Sequence, residues 1–96
     1  MGKPVIVKGK NSTGHPPGFP PTPAIQCSTK VFATKIGVVR QGDSYKLHCF
    51  KGSCHVPKVV AASRKVFANG KGIARLGDKL SCGDKAANGV NKVRAG

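Results

Sequence analysis

Apolar residues in this chain come in runs of two or three, and the runs are separated by Gly, Pro, Asn and Asp. Val5-Ile6-Val7, Val31-Phe32-Ala33, Gly37-Val38-Val39 and Val66-Phe67-Ala68 are examples. Short runs rich in β-branched and aromatic residues and bounded by turn residues read as strands. Ala68-Asn69-Gly70-Lys71 is a strong hairpin signal, because Asn-Gly accepts the positive φ that a tight two-residue turn requires. No window carries the three-to-four spacing of an amphipathic helix. The pattern predicts an all-β fold of short hairpins.

The runs repeat. Ser28-Thr29-Lys30-Val31-Phe32-Ala33 returns without gaps as Ser63-Arg64-Lys65-Val66-Phe67-Ala68, 35 residues on. At the same offset Gly37-Val38-Val39-Arg40-Gln41-Gly42-Asp43 returns as Gly72-Ile73-Ala74-Arg75-Leu76-Gly77-Asp78. Partial copies flank these. Val5 to Lys10 resembles Val38 to Asp43, and Lys92-Val93-Arg94-Ala95-Gly96 resembles Lys65-Val66-Phe67-Ala68-Asn69. A repeat unit cannot bury its apolar face alone, so copies pack on one another. With the first and last copies each incomplete, the arrangement predicts one domain, residues 1–96, closed into a ring of three arms with pseudo-threefold symmetry.

Composition bears on what holds such a ring together. The chain has 96 residues, of which 13 are Gly and 7 Pro, with no Trp, one Tyr and four Phe. So small and glycine-rich a chain buries little apolar surface and loses much backbone entropy, and folds of this kind lean on a staple. Charge is one-sided, with 17 Lys and Arg against three Asp and no Glu, a formal +14. This invites nucleic acid, anionic lipid or an acidic protein as a partner. Few aromatics are available for stacking on bases and there is no basic helix to enter a groove, which argues against a nucleic-acid-binding module. The missing amphipathic helix argues likewise against a membrane-active peptide. No run approaches the length of a membrane span, and the apolar run at the N-terminus ends too early for a signal peptide. Cys27, Cys49, Cys54 and Cys82 are therefore expected to be thiols or metal ligands rather than a disulfide framework.

The repeat organises the soft ligands. His15 and His48 fall on equivalent positions after the Gly-Asp turn, and the third equivalent is Gly83, next to Cys82. His15, His48 and Cys82 thus come from three related loops. His55, at the end of a Gly-containing loop seven residues after His48, supplies a fourth ligand for a closed tetrahedral zinc site. Imidazole and thiolate suit zinc, and ligands from distant segments would cross-link the whole chain. His48-Cys49 and Cys54-His55 also permit a local site that uses Cys49 or Cys54, while Cys27 reads as a small buried apolar residue. Catalysis finds little support: there is no Glu, and Asp43 and Asp78 sit in repeated Gly-Asp turns, where they suit turn amides.

Val66 to Asp78 followed by Ser81-Cys82-Gly83 resembles the repeat of PAAR-domain proteins. Gly72-Ile73-Ala74-Arg75, and more loosely Gly37-Val38-Val39-Arg40, stand for the eponymous Pro-Ala-Ala-Arg. Gly14-His15 with Phe19-Pro20-Pro21, then His48, His55 and Cys82, fit the same pattern across essentially the whole chain. The departures are the missing Pro-Ala and a Lys10 where Asp is expected. The resemblance implies a cone-shaped, zinc-stabilised β-structure with one structural zinc ion and no enzymatic activity or small-molecule substrate. Its implied role is to cap and sharpen the trimeric β-helical spike of a contractile injection machine, one chain per trimer, touching the target envelope only in passing. The implied location is the tail-spike tip of a phage virion, with a type VI secretion system as the alternative. Val31, Phe32, Val66 and Phe67 are the expected contacts to the spike.

Overall fold

The computed structural model describes residues 2–16 and 18–96, apart from the side chain of Asn91. Among them are eight short strands and no helix. The strands are β1 (Lys3–Val5), β2 (Phe32–Ala33), β3 (Ile36–Gly37), β4 (His48–Phe50), β5 (Ser53–His55), β6 (Phe67–Ala68), β7 (Lys71–Gly72) and β8 (Val90–Ala95). They form four antiparallel pairs: β2–β3, β4–β5, β6–β7 and, joining the two ends of the chain, β1–β8. The Asn69-Gly70 turn predicted from sequence connects β6 to β7, with φ of 54° and 78°. Thr34-Lys35 between β2 and β3 takes the same positive angles, 52° and 72°, without a glycine.

The expected second strand of each arm, Gly-Val-Val-Arg, divides. β3 and β7 stop at Gly37 and Gly72, because the residues beyond them pair with another arm instead of their own hairpin. Val38 bridges Val7, Ile73 bridges Arg40 and Val5 bridges Arg75, so each arm binds the next around a closed circuit. At the centre the circuit reduces to three backbone hydrogen bonds. The Ile6 amide donates to the Ala74 carbonyl (3.0 Å), Ala74 to Val39 (2.8 Å) and Val39 to Ile6 (2.8 Å). Lys8, Gln41 and Leu76 repeat the cycle one step out, donating to the carbonyls of Gly37, Gly72 and Pro4. These are the residues that the sequence offsets align, so the pseudo-threefold ring is present in the hydrogen bonding.

Successive side chains of an extended segment leave on opposite sides, and here that sorts the core into two layers. Ile6, Val39 and Ala74 are buried on one side with Ala24, Tyr45, Val59, Leu80 and Ala86; Cys82 packs against this layer. Val5, Val7, Val38 and Ile73 are buried on the other with Ala33 and Ala68 from the β2–β3 and β6–β7 hairpins and Ala95 from the β1–β8 pair. The β2–β3, β6–β7 and β1–β8 pairs (the hairpin side) and the Cys82 loop therefore lie on opposite sides of the ring. The molecule measures 37 × 25 × 20 Å.

Two details of the repeat explain themselves in space. A Cβ at Gly37 would lie 2.4 Å from the Ser28 carbonyl oxygen, and one at Gly72 would lie 2.1 Å from that of Ser63, so both hairpins need glycine at the crossing. Ser28 and Ser63 each accept two amide hydrogen bonds through Oγ, from Lys30 and Val31 and from Lys65 and Val66. The repeated Asp43 and Asp78 do bind turn amides, of Arg40 and Arg75. They also accept from the guanidinium of the same arginine, at 2.9–3.0 Å for Arg40 and 3.0–3.1 Å for Arg75. Buried carboxylates at 1% and 4% exposure are tolerable because each is paired and multiply bonded.

Candidate metal centre

The three loops that follow the Gly-Asp positions converge on the side of the ring away from β2–β3 and β6–β7. The first carries His15, whose backbone exchanges two hydrogen bonds with Phe19 (2.9 and 3.1 Å). The second is the β4–β5 hairpin, closed by Lys51-Gly52 with positive φ at both positions. His48 and His55 are direct cross-strand partners there, which aims both imidazoles to one side. The third loop brings Cys82.

The four side chains meet. His15 Nε2 lies 3.2 Å from His48 Nε2 and 3.1 Å from His55 Nε2, and His48 and His55 are 2.7 Å apart at the same atoms. Cys82 Sγ is 3.9 Å from His48 Nε2, and all four ligand atoms fall within 4.8 Å of one another. Every metal-site residue expected from sequence is in this group.

The outer hydrogen bonds of two imidazoles bear on what the group could hold. His15 Nδ1 faces the Pro16 carbonyl and His48 Nδ1 the Pro20 carbonyl, both at 2.9 Å. A carbonyl only accepts, so both Nδ1 atoms donate and a neutral ring then presents a bare Nε2 lone pair inward. Facing lone pairs repel, and a cation between them turns that repulsion into coordination. Three imidazole nitrogens and one sulfur could together hold one four-coordinate metal ion. Such an ion would cross-link the three loops. Burial, then neighbouring His48 and His15, lower the pKa of His55 against the opposing pull of Asp84, which favours its ligand form.

Two expectations about the cysteines change. Cys49 and Cys54 are neither thiols nor ligands: they form a disulfide between β4 and β5, next to the His48–His55 pair. As adjacent strand residues they project opposite to the histidines, so the local alternative that uses either as a ligand is geometrically closed. Cys27 is half-buried, packed on the core, rather than fully enclosed.

Sequence reasoning passed over two residues. Phe19 lies against all three imidazoles, with ring centroids 4.5 Å from His15 and His55 and 5.0 Å from His48. It shields the ligand set with an apolar face. Asp84 is a carboxylate in the Cys82 loop, and it is 1% exposed. It ties that loop to the first one by accepting from Thr13 Oγ1 and the Lys85 amide, both at 2.7 Å. Burial raises its pKa, but the hydroxyls of Ser12 and Thr13, the Lys85 amide and nearby His15 outweigh this and hold the carboxyl below its usual range. The only signal available was its place two residues after a ligand.

The four expected spike contacts lie on the hairpin side. Phe32 and Phe67 are each 55% exposed and Val66 is 37%, while Val31 is half-buried against the second core layer. No curated protein matches the chain significantly. A family model of the PAAR motif matches residues 13–88, which contain all four candidate ligands and both Arg–Asp turns. By that match, and by the three-armed ring and ligand cluster it spans, the chain belongs to the PAAR-motif family.

Proposed function

We propose that this chain is the zinc-bound tip that caps the trimeric β-helical spike of a contractile injection machine, one chain per spike trimer. Members of the PAAR family are structural spike tips, and the family match carries that much. The observation that supports the finer reading is the closed cycle of Ile6, Val39 and Ala74 hydrogen bonds. It gives one polypeptide an approximate threefold axis, which is what is needed to meet the end of a trimer.

The two sides of the ring then have different tasks. The hairpin side presents Phe32 and Phe67, large exposed apolar side chains, at equivalent positions of two arms, and it is the spike-facing base. The opposite side gathers the ligand loops, where a metal cross-link stiffens the leading point. Covering the spike's end also protects unpaired strand edges, which are otherwise prone to association. The machine in this reading is a phage tail, with the protein at the distal end of the virion; a type VI system would use the same base.

The experiment is a mixing assay with the trimeric spike end from the source genome. Native mass spectrometry should show one copy per three spike chains, and the complex should persist at salt levels that dissolve phosphate-based binding. Phe32→Asp with Phe67→Asp should abolish it. A chain that ignores the spike but binds DNA would refute the reading. Detection in purified phage particles, as against culture supernatant of a type VI strain, assigns the machine.

A further inference from the structure

The three arms are alike in backbone but not in what fills the grooves between them. Between the second and third arms lies a cleft of about 410 Å³, lined by Gln41, Ala61, Ala62, Arg64, Phe67 and Arg75 among others. The repeat places its counterpart between the first and second arms, where Gln26, Cys27, Thr29, Phe32 and Arg40 stand for Ala61, Ala62, Arg64, Phe67 and Arg75.

Side chains take up more of that counterpart, and Asn69 of the β6–β7 turn bonds its arginine. Arg40, besides its pairing with Asp43, donates to Asn69 Oδ1 (3.1 Å) and to the Cys27 carbonyl (3.3 Å). Cys27 Sγ fills space beside Gly37, and Gln26 is held by the Ser44 amide at 2.9 Å. In the open cleft two alanines replace Gln26 and Cys27. Arg75 donates only to Asp78 among the described residues, through its backbone amide, Nε and Nη2, which leaves Nη1 without a partner. Arg64 is exposed and has no hydrogen bond or ion pair among them. Gln41 Nε2 caps the Val60 carbonyl at 2.9 Å and borders the same space.

We propose that this cleft is an anion site that receives one carboxylate side chain of the spike. Arg64 and Arg75 both line the cleft, and unused guanidinium N–H donors are the groups that bind a carboxylate's two oxygens. Asp78, the acidic side chain paired with Arg75, is already committed to it through Nε and Nη2. Phe67, 55% exposed at the edge of the cleft, belongs to the proposed base, so a chain docked there passes the opening. The site occurs at one of the aligned grooves and not at its counterpart. A symmetric trimer therefore meets at least two unlike grooves, and the cap sits on three equal chains through unequal contacts. The inference rests on the capping function proposed above, but the cleft itself is testable without the spike.

The probe is N-acetyl-aspartate, titrated into the full-length metal-loaded protein and followed by amide chemical shifts, with inorganic phosphate in parallel. Saturable shifts at Gln41, Ser63, Arg64 and Arg75 are expected, with a dissociation constant in the millimolar range. Ala61→Gln with Ala62→Cys, which writes the residues of the counterpart groove into the open one, should abolish them. Arg64→Ala should weaken binding at least fivefold; it is exposed, so it carries the test should the double variant not fold. Shifts that do not saturate, that spread over the basic surface, or that survive these substitutions overturn the site. Tighter binding of phosphate than of acetyl-aspartate overturns its assignment to a carboxylate. In the spike mixing assay, Arg64→Glu should weaken capping at least tenfold. Capping that is unaffected by Arg64→Glu overturns the cleft's role and leaves the cap standing, whereas absent capping by the unmodified chain overturns the function and leaves the anion site standing.

Discussion

Reducing the Cys49–Cys54 disulfide should loosen metal binding without destroying it. The bond closes a loop of six residues, from a sequence separation of 5. Loop-closure entropy for so short a loop amounts to about 2 kcal/mol, roughly a thirtyfold change in an equilibrium constant. That constraint acts on the hairpin bearing His48 and His55, which supplies two of the four ligands. The Lys51-Gly52 turn and the cross-strand pairing remain after reduction, so the ligand hairpin opens more often but still forms. The measurement is competition for zinc against a chromophoric chelator near neutral pH. It would compare oxidised protein with Cys49→Ser/Cys54→Ser, which avoids adding reductant. An apparent dissociation constant raised by about tenfold to thirtyfold is expected. No change would show that the turn and pairing alone preorganise the ligands. In a separate arm with a non-coordinating phosphine reductant, tighter binding by reduced wild type than by oxidised protein would show a freed thiol entering the coordination, and would refute the facing-away geometry.

Further outcomes follow from the same structure. Alanine at His15, His48, His55 or Cys82 should each abolish the metal-dependent part of the thermal melt, because binding energy at a structural site is folding energy; Cys27→Ala should cost only about 1 kcal/mol. Gly72→Ala, whose Cβ would sit 2.1 Å from the Ser63 carbonyl oxygen, should destabilise by about 1–3 kcal/mol or more in denaturant titration. Gly70→Ala meets open space but keeps a φ of 78°, and should cost about 1–2 kcal/mol. Tyr45 is fully buried and its Oη has no partner among the described residues, so Tyr45→Phe should be neutral or stabilising. Burial first, then Asp84 and Asp78, push the Tyr45 phenol well above its ordinary range. The unfolded chain loses that proton at about pH 10 while the folded one keeps it, so stability should fall as pH rises past 10. Tyr45→Phe should remove that part of the alkaline decline.

How much of this was legible in one dimension depends on the range of the interaction. The repeat offsets, the Asn69-Gly70 turn and the absence of helical periodicity are local or self-similar features, and they determined the all-β, three-armed ring. The same offsets aligned His15, His48 and the Cys82 loop, because symmetry carries equivalent residues to one axis whatever lies between them. Three things were decided only in space. Arms two and three end their hairpins at Gly37 and Gly72 because the inter-arm cycle claims the following residues, a competition that no single segment reveals. Cys49 and Cys54 became a disulfide because they are cross-strand neighbours on the face opposite the histidines, and redox reasoning from the N-terminus does not see register. Phe19 and Asp84 entered the metal centre through packing between loops. Backbone patterning sets where each arm runs, whereas side chains from different arms select their partners only after the ring has closed.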